Sequence, residues 1–232
     1  MKHSILSFAL AGLFAGTTLS PDAAAANYTD RASFDAAVTN MTTLDFEGLL
    51  GTPEFPDNYP SGTGYMAGSV ALHGVVFSDA YSGSLDFVYI LANDGAGSSG
   101  SLNGTTAIWL GRSSSRITLP AGLTAFGTDY AVPIGVAGGL PVGQTSTIVA
   151  TFHFRAGAAP ETLALPVTGK SQFFGYIGSE IDHIDLAYAN NHYMIFDNLS
   201  IAQAVPEPET YALMLAGLGL VGFFARQGRK QN

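Results

Sequence analysis

The sequence predicts an all-β domain, a jelly-roll-like antiparallel β-sandwich with one short N-terminal helix, on three observations. Charged residues make up only 12% of the chain while glycine alone contributes 28 of 232 residues, a balance that suits strands joined by many turns. About ten short runs of β-branched and aromatic residues follow one another with no helical period between them. Turn chemistry such as Asn93-Asp94-Gly95 and Ala156-Gly157 separates the runs. A chain of that many short strands buries its apolar faces by packing two sheets together.

Both ends read as processing signals and lie outside this domain. Residues 1–26 carry one early cation, Lys2, an apolar stretch from Ile5 to Leu19, and the small-residue run Ala23 to Ala26. This is the pattern of a secretory signal peptide. Small side chains one and three residues before the cut place Ala26 and Ala24 in the peptidase pockets, so Asn27 becomes the first residue of the domain, which spans 27–204.

The domain opens on a helix over residues 29–38, capped by Thr29 or Asp30, with Phe34, Val38 and Met41 on one stripe. In Thr43 to Glu47 the alternation sets Leu44 and Phe46 on one face and Asp45 and Glu47 on the other. Residues 48–68, rich in Pro, Gly and Asn, read as a long loop. Strands are then expected over 70–77, 86–91, 106–110, 116–119, 123–130, 147–154, 161–165, 173–177, 181–188 and 193–201, with a Gly- and Ser-rich loop over 93–104.

The C-terminal end, 205–232, reads Val205-Pro206-Glu207-Pro208, then an apolar run of fifteen residues from Tyr211 to Ala225, then Arg226, Arg229 and Lys230. As a helix the run reaches ~22 Å, short of the ~30 Å hydrocarbon core of a bilayer, with Arg226 extending it by snorkelling. Cations after the run predict that its end stays in the cytoplasm, which leaves the domain across the membrane. The two prolines keep the motif extended in front of the helix.

This order of Pro-Glu-Pro, short apolar transmembrane helix and basic tip resembles the PEP-CTERM sorting signal of Gram-negative bacteria that make exopolysaccharide. The resemblance implies a precursor held in the inner membrane by its C-terminal helix. It also implies recognition of Val205 to Pro208 by an exosortase, cleavage near the motif, and passage to the cell surface or extracellular matrix. Within the domain, the runs 28–34, 44–48, 72–77, 117–127, 173–177, 181–186 and 196–199 resemble the β-sandwich ectodomain often carried by such proteins.

Composition narrows the partners. Between Asn27 and Ala204 there are fifteen acidic residues and five basic ones, Arg31, Arg112, Arg116, Arg155 and Lys170, so nucleic acid is not an expected partner. No cysteine is present, which removes disulfides, thiolate nucleophiles and a lipobox. No Gly-x-Ser-x-Gly, His-Glu-x-x-His, phosphate-loop or Rossmann pattern occurs. Glu47, Glu54, Glu161 and Glu180 are not paired by any spacing that glycoside hydrolysis would need, and no enzyme is expected. A non-enzymatic structural or adhesive protein of the exopolysaccharide matrix ranks first, a polysaccharide-binding module second, and a secreted hydrolase third.

Three residues are candidates for calcium. On the strand 193–201, Asp197 shares a face with Tyr193, Ile195, Leu199 and Ile201, so its carboxylate points along an apolar stripe and needs compensation. A Ca²⁺ ion held with Asp45 or Glu47 would supply it, as in many carbohydrate-binding jelly rolls. Backbone N–H groups at a bulge or strand end are the simpler partner. Of the histidines, His183 and His192 flank adjacent strands, with a solvated or structural role favoured over metal. Trp109, Tyr65, Tyr81, Tyr89, Tyr176 and Tyr188 are candidate sugar platforms, with Trp109, between Ile108 and Leu110, expected in the core.

Overall fold

Residues 26–28, from the last alanine of the run onward, already form a strand. A computed structural model describes residues 25–58, 64–79, 88–92, 106–111, 114–133, 139–168, 170–188, 193–204 and 214–220, and the account below concerns these. In order they form β1 (Ala26–Tyr28), α1 (Arg31–Ala36), β2 (Val38–Leu44), β3 (Gly64–Ala67), β4 (Ser69–Leu72), β5 (Val75–Asp79), β6 (Val88–Ala92) and β7 (Thr106–Leu110). There follow β8 (Ser114–Thr118), β9 (Ala125–Ala131), β10 (Ser146–Phe154), β11 (Glu161–Val167), β12 (Gln172–Ile177), β13 (Ile181–Tyr188) and β14 (Met194–Ala204), with a helical stretch α2 over 214–220.

The strands build two antiparallel sheets. One runs β1-β12-β9-β14-β7-β6-β3 with β2 also paired to β14, and the other runs β11-β10-β13-β8-β5-β4. Inward residues of both fill one core. Phe77, Ile117, Phe152 and Ile184 come from the six-stranded sheet, and Ile90, Ile108, Phe126, Phe174 and Phe196 from the eight-stranded sheet. This is the antiparallel β-sandwich that the strand count predicts.

The outer face of the eight-stranded sheet carries α1. Asp30 caps this helix by accepting from the Ser33 N–H at 2.9 Å, and Phe34 is completely buried with Val38, Ala125, Ile177 and Ala202. The ring lies on a window of bare backbone, because Gly127 on β9 and Gly175 on β12 stand directly opposite each other. Arg31 fastens the first turn of the helix to the sheet. Its guanidinium donates to the Asn198 carbonyl at 2.8 Å and to Ser200 Oγ at 3.1 Å, pairs with Asp129 at 3.1 Å, and covers the Phe173 ring.

Several boundaries differ from the sequence expectation, each for a local reason. The helix ends at Ala36, and the residues after it join β14 as β2, which leaves Met41 42% exposed instead of on a helical stripe. The expected strand 70–77 is a hairpin of β4 and β5, turned at His73 (φ 50°) and Gly74 (φ 81°). Two successive positive φ values are the signature of a type I′ turn, and the His-Gly pair supplies it. An added Cβ at Gly74 meets only Pro120 at 3.7 Å, an ordinary contact. Gly74→Ala is therefore expected to cost about 1–2 kcal/mol from backbone strain alone, measurable by urea denaturation. The loop over 48–68 contains β3, and β1 pairs with β12 where no strand is expected. The expected loop 93–104 lies outside the described residues.

Candidate functional site

A bulge in β14 decides where Asp197 points. The β14–β9 register shifts between Asp197 and Ser200, and Asn198 takes φ 46°. Phe196 and Leu199 both face the main core across that bulge, whereas Ile195 packs on the opposite face with Ala107 and Ala131. The simple alternation that groups Asp197 with both Ile195 and Leu199 therefore breaks. Asp197 is 2% exposed and its Oδ1 accepts from the Asn198 N–H at 2.7 Å. Asn198 Nδ2 donates to Asp129, which also holds Arg31.

The other calcium candidates stand at the end of β2. The expected strand 43–47 stops at Leu44 and Phe46 takes φ 58°, yet Leu44 and Phe46 are buried and Asp45 and Glu47 exposed, the sides that the sequence pattern assigns them. Asp45 Oδ1 accepts from the Glu47 N–H at 3.2 Å, and Glu47 Oε1 from the Thr106 N–H at 2.6 Å. Among the described residues, the one set of three metal-ligating side chains whose donor atoms converge is a different one: His153, His183 and Asp185.

That set lies on the outer face of the six-stranded sheet. His153 on β10 and His183 on β13 are register partners, and their rings stack at 4.3 Å and 12°. Asp185, two residues along β13, receives a bidentate Arg116 at 2.7 and 2.9 Å and His153 Nε2 at 3.2 Å. Burial pushes the Asp185 carboxyl up, but the Arg116 hydrogen bonds and charge outweigh it and hold it below the usual range. Asp182 is lowered chiefly by its hydrogen bond to His183, with Arg155 adding to the effect, and Arg116 is raised by Asp185. Sequence reasoning paired His183 with His192, which lies outside the described residues. The partner supplied here is His153, thirty residues earlier, because β10 and β13 are sheet neighbours.

Aromatic residues gather on the outer face of the eight-stranded sheet. Met66, Tyr89, Trp109, Ile195 and Ala131 are successive register partners across β3, β6, β7, β14 and β9. Trp109 is half-buried over Ala107, Ala131 and Ile195, on the opposite face from Ile108 and Leu110, and so outside the main core. Tyr193 meets Tyr89 edge-on at 5.7 Å and Trp109 at 6.2 Å. Tyr176 and Tyr188 are core residues, and Tyr65 packs against Phe55 at 5.3 Å. Tyr81 lies outside the described residues.

Of the processing residues, Ala26 opens β1, and β14 ends at Ala204, directly before Val205. Ala24, the motif Val205 to Pro208 and the basic tip Arg226, Arg229 and Lys230 lie outside the described residues. In α2, Met214, Leu215, Leu218 and Leu220 are exposed, each by more than half of its surface. Among the described residues no helix is long and apolar enough to cross a membrane.

Comparison with known proteins adds a second line. No curated protein matches the chain. Among solved structures it is similar to TmCBM61 in complex with β-1,4-galactotriose, at 14% identity and TM-score 0.34, over 56% of this chain and 89% of that one. It is also similar to a family 11 carbohydrate-binding module from Clostridium thermocellum in complex with a β-1,3-1,4-mixed-linked tetrasaccharide. That match has 13% identity and TM-score 0.35, over 72% and 98% of the two chains. Likeness at these scores decides neither fold nor ligand. Residues 204–230 match the PEP-CTERM protein-sorting motif, and the chain is thus an exported protein that carries this motif behind an antiparallel β-sandwich.

Proposed function

We propose that this chain is the precursor of a non-enzymatic cell-surface or matrix protein, sorted by an exosortase and structural or adhesive in an exopolysaccharide matrix. The observation that carries the reading is the sorting motif at 204–230. In this reading residues 1–26 leave on export, 27–204 is the working domain, and 205–232 is the sorting signal. Its apolar run 211–225 holds the precursor in the inner membrane of a Gram-negative cell. The fold suits that division. Cleavage after Ala26 leaves Asn27 and Tyr28 to keep the β1–β12 pairing and the Tyr28–Phe34 contact. The described part of β14 ends at Ala204, two residues before Pro206, which has no N–H to donate to a ladder.

Intact-mass spectrometry of membrane and surface fractions tests the assignment. Glu207→Ala, or removal of residues 226–232, is expected to leave uncleaved precursor in the inner membrane, while the unaltered chain appears at the surface with Asn27 as its first residue. Normal processing of both variants would overturn it.

A second reading, a polysaccharide-binding module, is favoured by the aromatic group Tyr89, Trp109 and Tyr193. Flat rings on a sheet face match the apolar faces of sugar rings, and a half-buried tryptophan is rigid before any ligand arrives. Whether Ca²⁺ bound by Asp45 or Glu47 with Asp197 supports such binding is decided by EGTA. Lost binding and a lowered Tm would support the ion, and an unchanged Tm would remove it. A secreted hydrolase remains third, with turnover abolished by a single carboxylate change as its requirement.

A further inference from the structure

The geometry points to a zinc-class transition-metal site on the outer face of the six-stranded sheet, formed by His153, His183 and Asp185. It is independent of the sorting assignment and of the calcium candidates. The donor atoms of the three side chains all lie within 4.8 Å of one another. Asp185 Oδ2 is 3.2 Å from His153 Nε2 and 3.8 Å from His183 Nε2. A tetrahedral Zn²⁺ with ligands at 2.0–2.2 Å needs donor pairs about 3.3 Å apart, so these spacings require little adjustment.

Two further features prepare the group for a cation. His183 Nδ1 is 2.8 Å from Asp182 Oδ2. A carboxylate only accepts, so in the neutral ring Nδ1 carries the proton and Nε2 turns its lone pair toward Asp185, whereas His153 Nε2, 3.2 Å from the same carboxylate, must pass its proton to Nδ1 or to solvent before it ligates. This is the carboxylate–histidine arrangement that orients metal-binding imidazoles. Arg116 grips Asp185 with two hydrogen bonds and fixes its rotamer.

Charge also favours a divalent ion. Arg155 pairs with Asp182 at 2.7 Å and with Glu180 at 3.4 Å. The two guanidinium groups therefore face Asp185, Asp182 and Glu180, leaving one net negative charge when both imidazoles are neutral.

The local fold explains why these residues meet. The β10–β13 register shifts at His153 and Phe154. Ile181 and Ile184 both reach the core across that irregularity, so Asp182 and His183 both sit at the surface. The side chains of His153, His183 and Asp185 are 31%, 18% and 31% exposed, open enough for an ion to enter. Two imidazoles and one carboxylate suit Zn²⁺ or a neighbouring transition ion and disfavour Ca²⁺ and Mg²⁺, which take oxygen. Three protein ligands leave a fourth position for water or an oxygen of a bound molecule.

The test is calorimetric titration of ZnCl₂ into the untagged full chain in mild detergent at pH 7.5, repeated with CaCl₂. One zinc per chain is expected, with no response to calcium at this site. His153→Gln and His183→Gln should each weaken zinc binding at least tenfold, and the double variant should abolish it. Should a variant fail to fold, CoCl₂ added to the unaltered chain serves instead, where tetrahedral coordination is expected to give an intense visible absorption band that ZnCl₂ displaces, and no such band would overturn the site. Zinc uptake unchanged in folded His153→Gln and His183→Gln variants, or no uptake by the unaltered chain, would overturn the site.

Discussion

Phe34→Ala is expected to destabilise the domain by about 3–5 kcal/mol, the range for removing a fully buried phenylalanine ring, and to lower its Tm by about 10 °C at this size. The ring is the sole large side chain of α1 in the interior, and it fills the window above Gly127 and Gly175. The converse change should also be costly. A Cβ at Gly175 would lie 2.5 Å from Phe34 Cδ2, and one at Gly127 would lie 2.8 Å from Phe34 Cε1 and 3.0 Å from Phe173 Cζ. Gly175→Ala is therefore expected to cost about 1–3 kcal/mol by overpacking. The pair must couple: in a Phe34→Ala background, Gly175→Ala should cost far less than it does alone. Additive losses in urea denaturation would show that the ring does not occupy this window in solution.

Trp109→Ala is expected to weaken binding of the host's exopolysaccharide by about thirtyfold, or ~2 kcal/mol, if the domain binds sugar through the outer face of the eight-stranded sheet. The tryptophan lies between Tyr89 and Ile195 in the cross-strand row and touches Tyr193, so its removal breaks the platform at its centre. Tyr65→Ala serves as the comparison, because Tyr65 packs against Phe55 and the main core. Calorimetric titration with the Tm of each variant recorded separates lost affinity from lost fold. Binding that survives Trp109→Ala would move the sugar site elsewhere, and no heat from the unaltered chain would leave the structural reading in place.

The sequence alone determined what depends on local composition. The two-sheet class followed from short β-branched and aromatic runs with turn residues between them, and the sorting tail from the order of a Pro-Glu-Pro motif, an apolar run and cations. A cap at Thr29 or Asp30, which the structure assigns to Asp30, and burial of Leu44 and Phe46 were legible for the same reason, since each rests on neighbours within a few residues. Tertiary structure decided everything that depends on register. Alternation counts positions from one end of a strand, so the bulge at Asn198 was enough to separate Asp197 from Leu199, and the irregularity at His153 put Asp182 and His183 side by side. Trp109 reads as core because both its neighbours are core, yet successive strand residues face opposite sides and it took the outer one. His183 and Asp185, two apart on one strand, share a face by alternation, but their meeting with His153 had no local signal. It exists because β10 pairs with β13, and strand pairing is chosen by the packing of whole sheets, which no short stretch of sequence encodes.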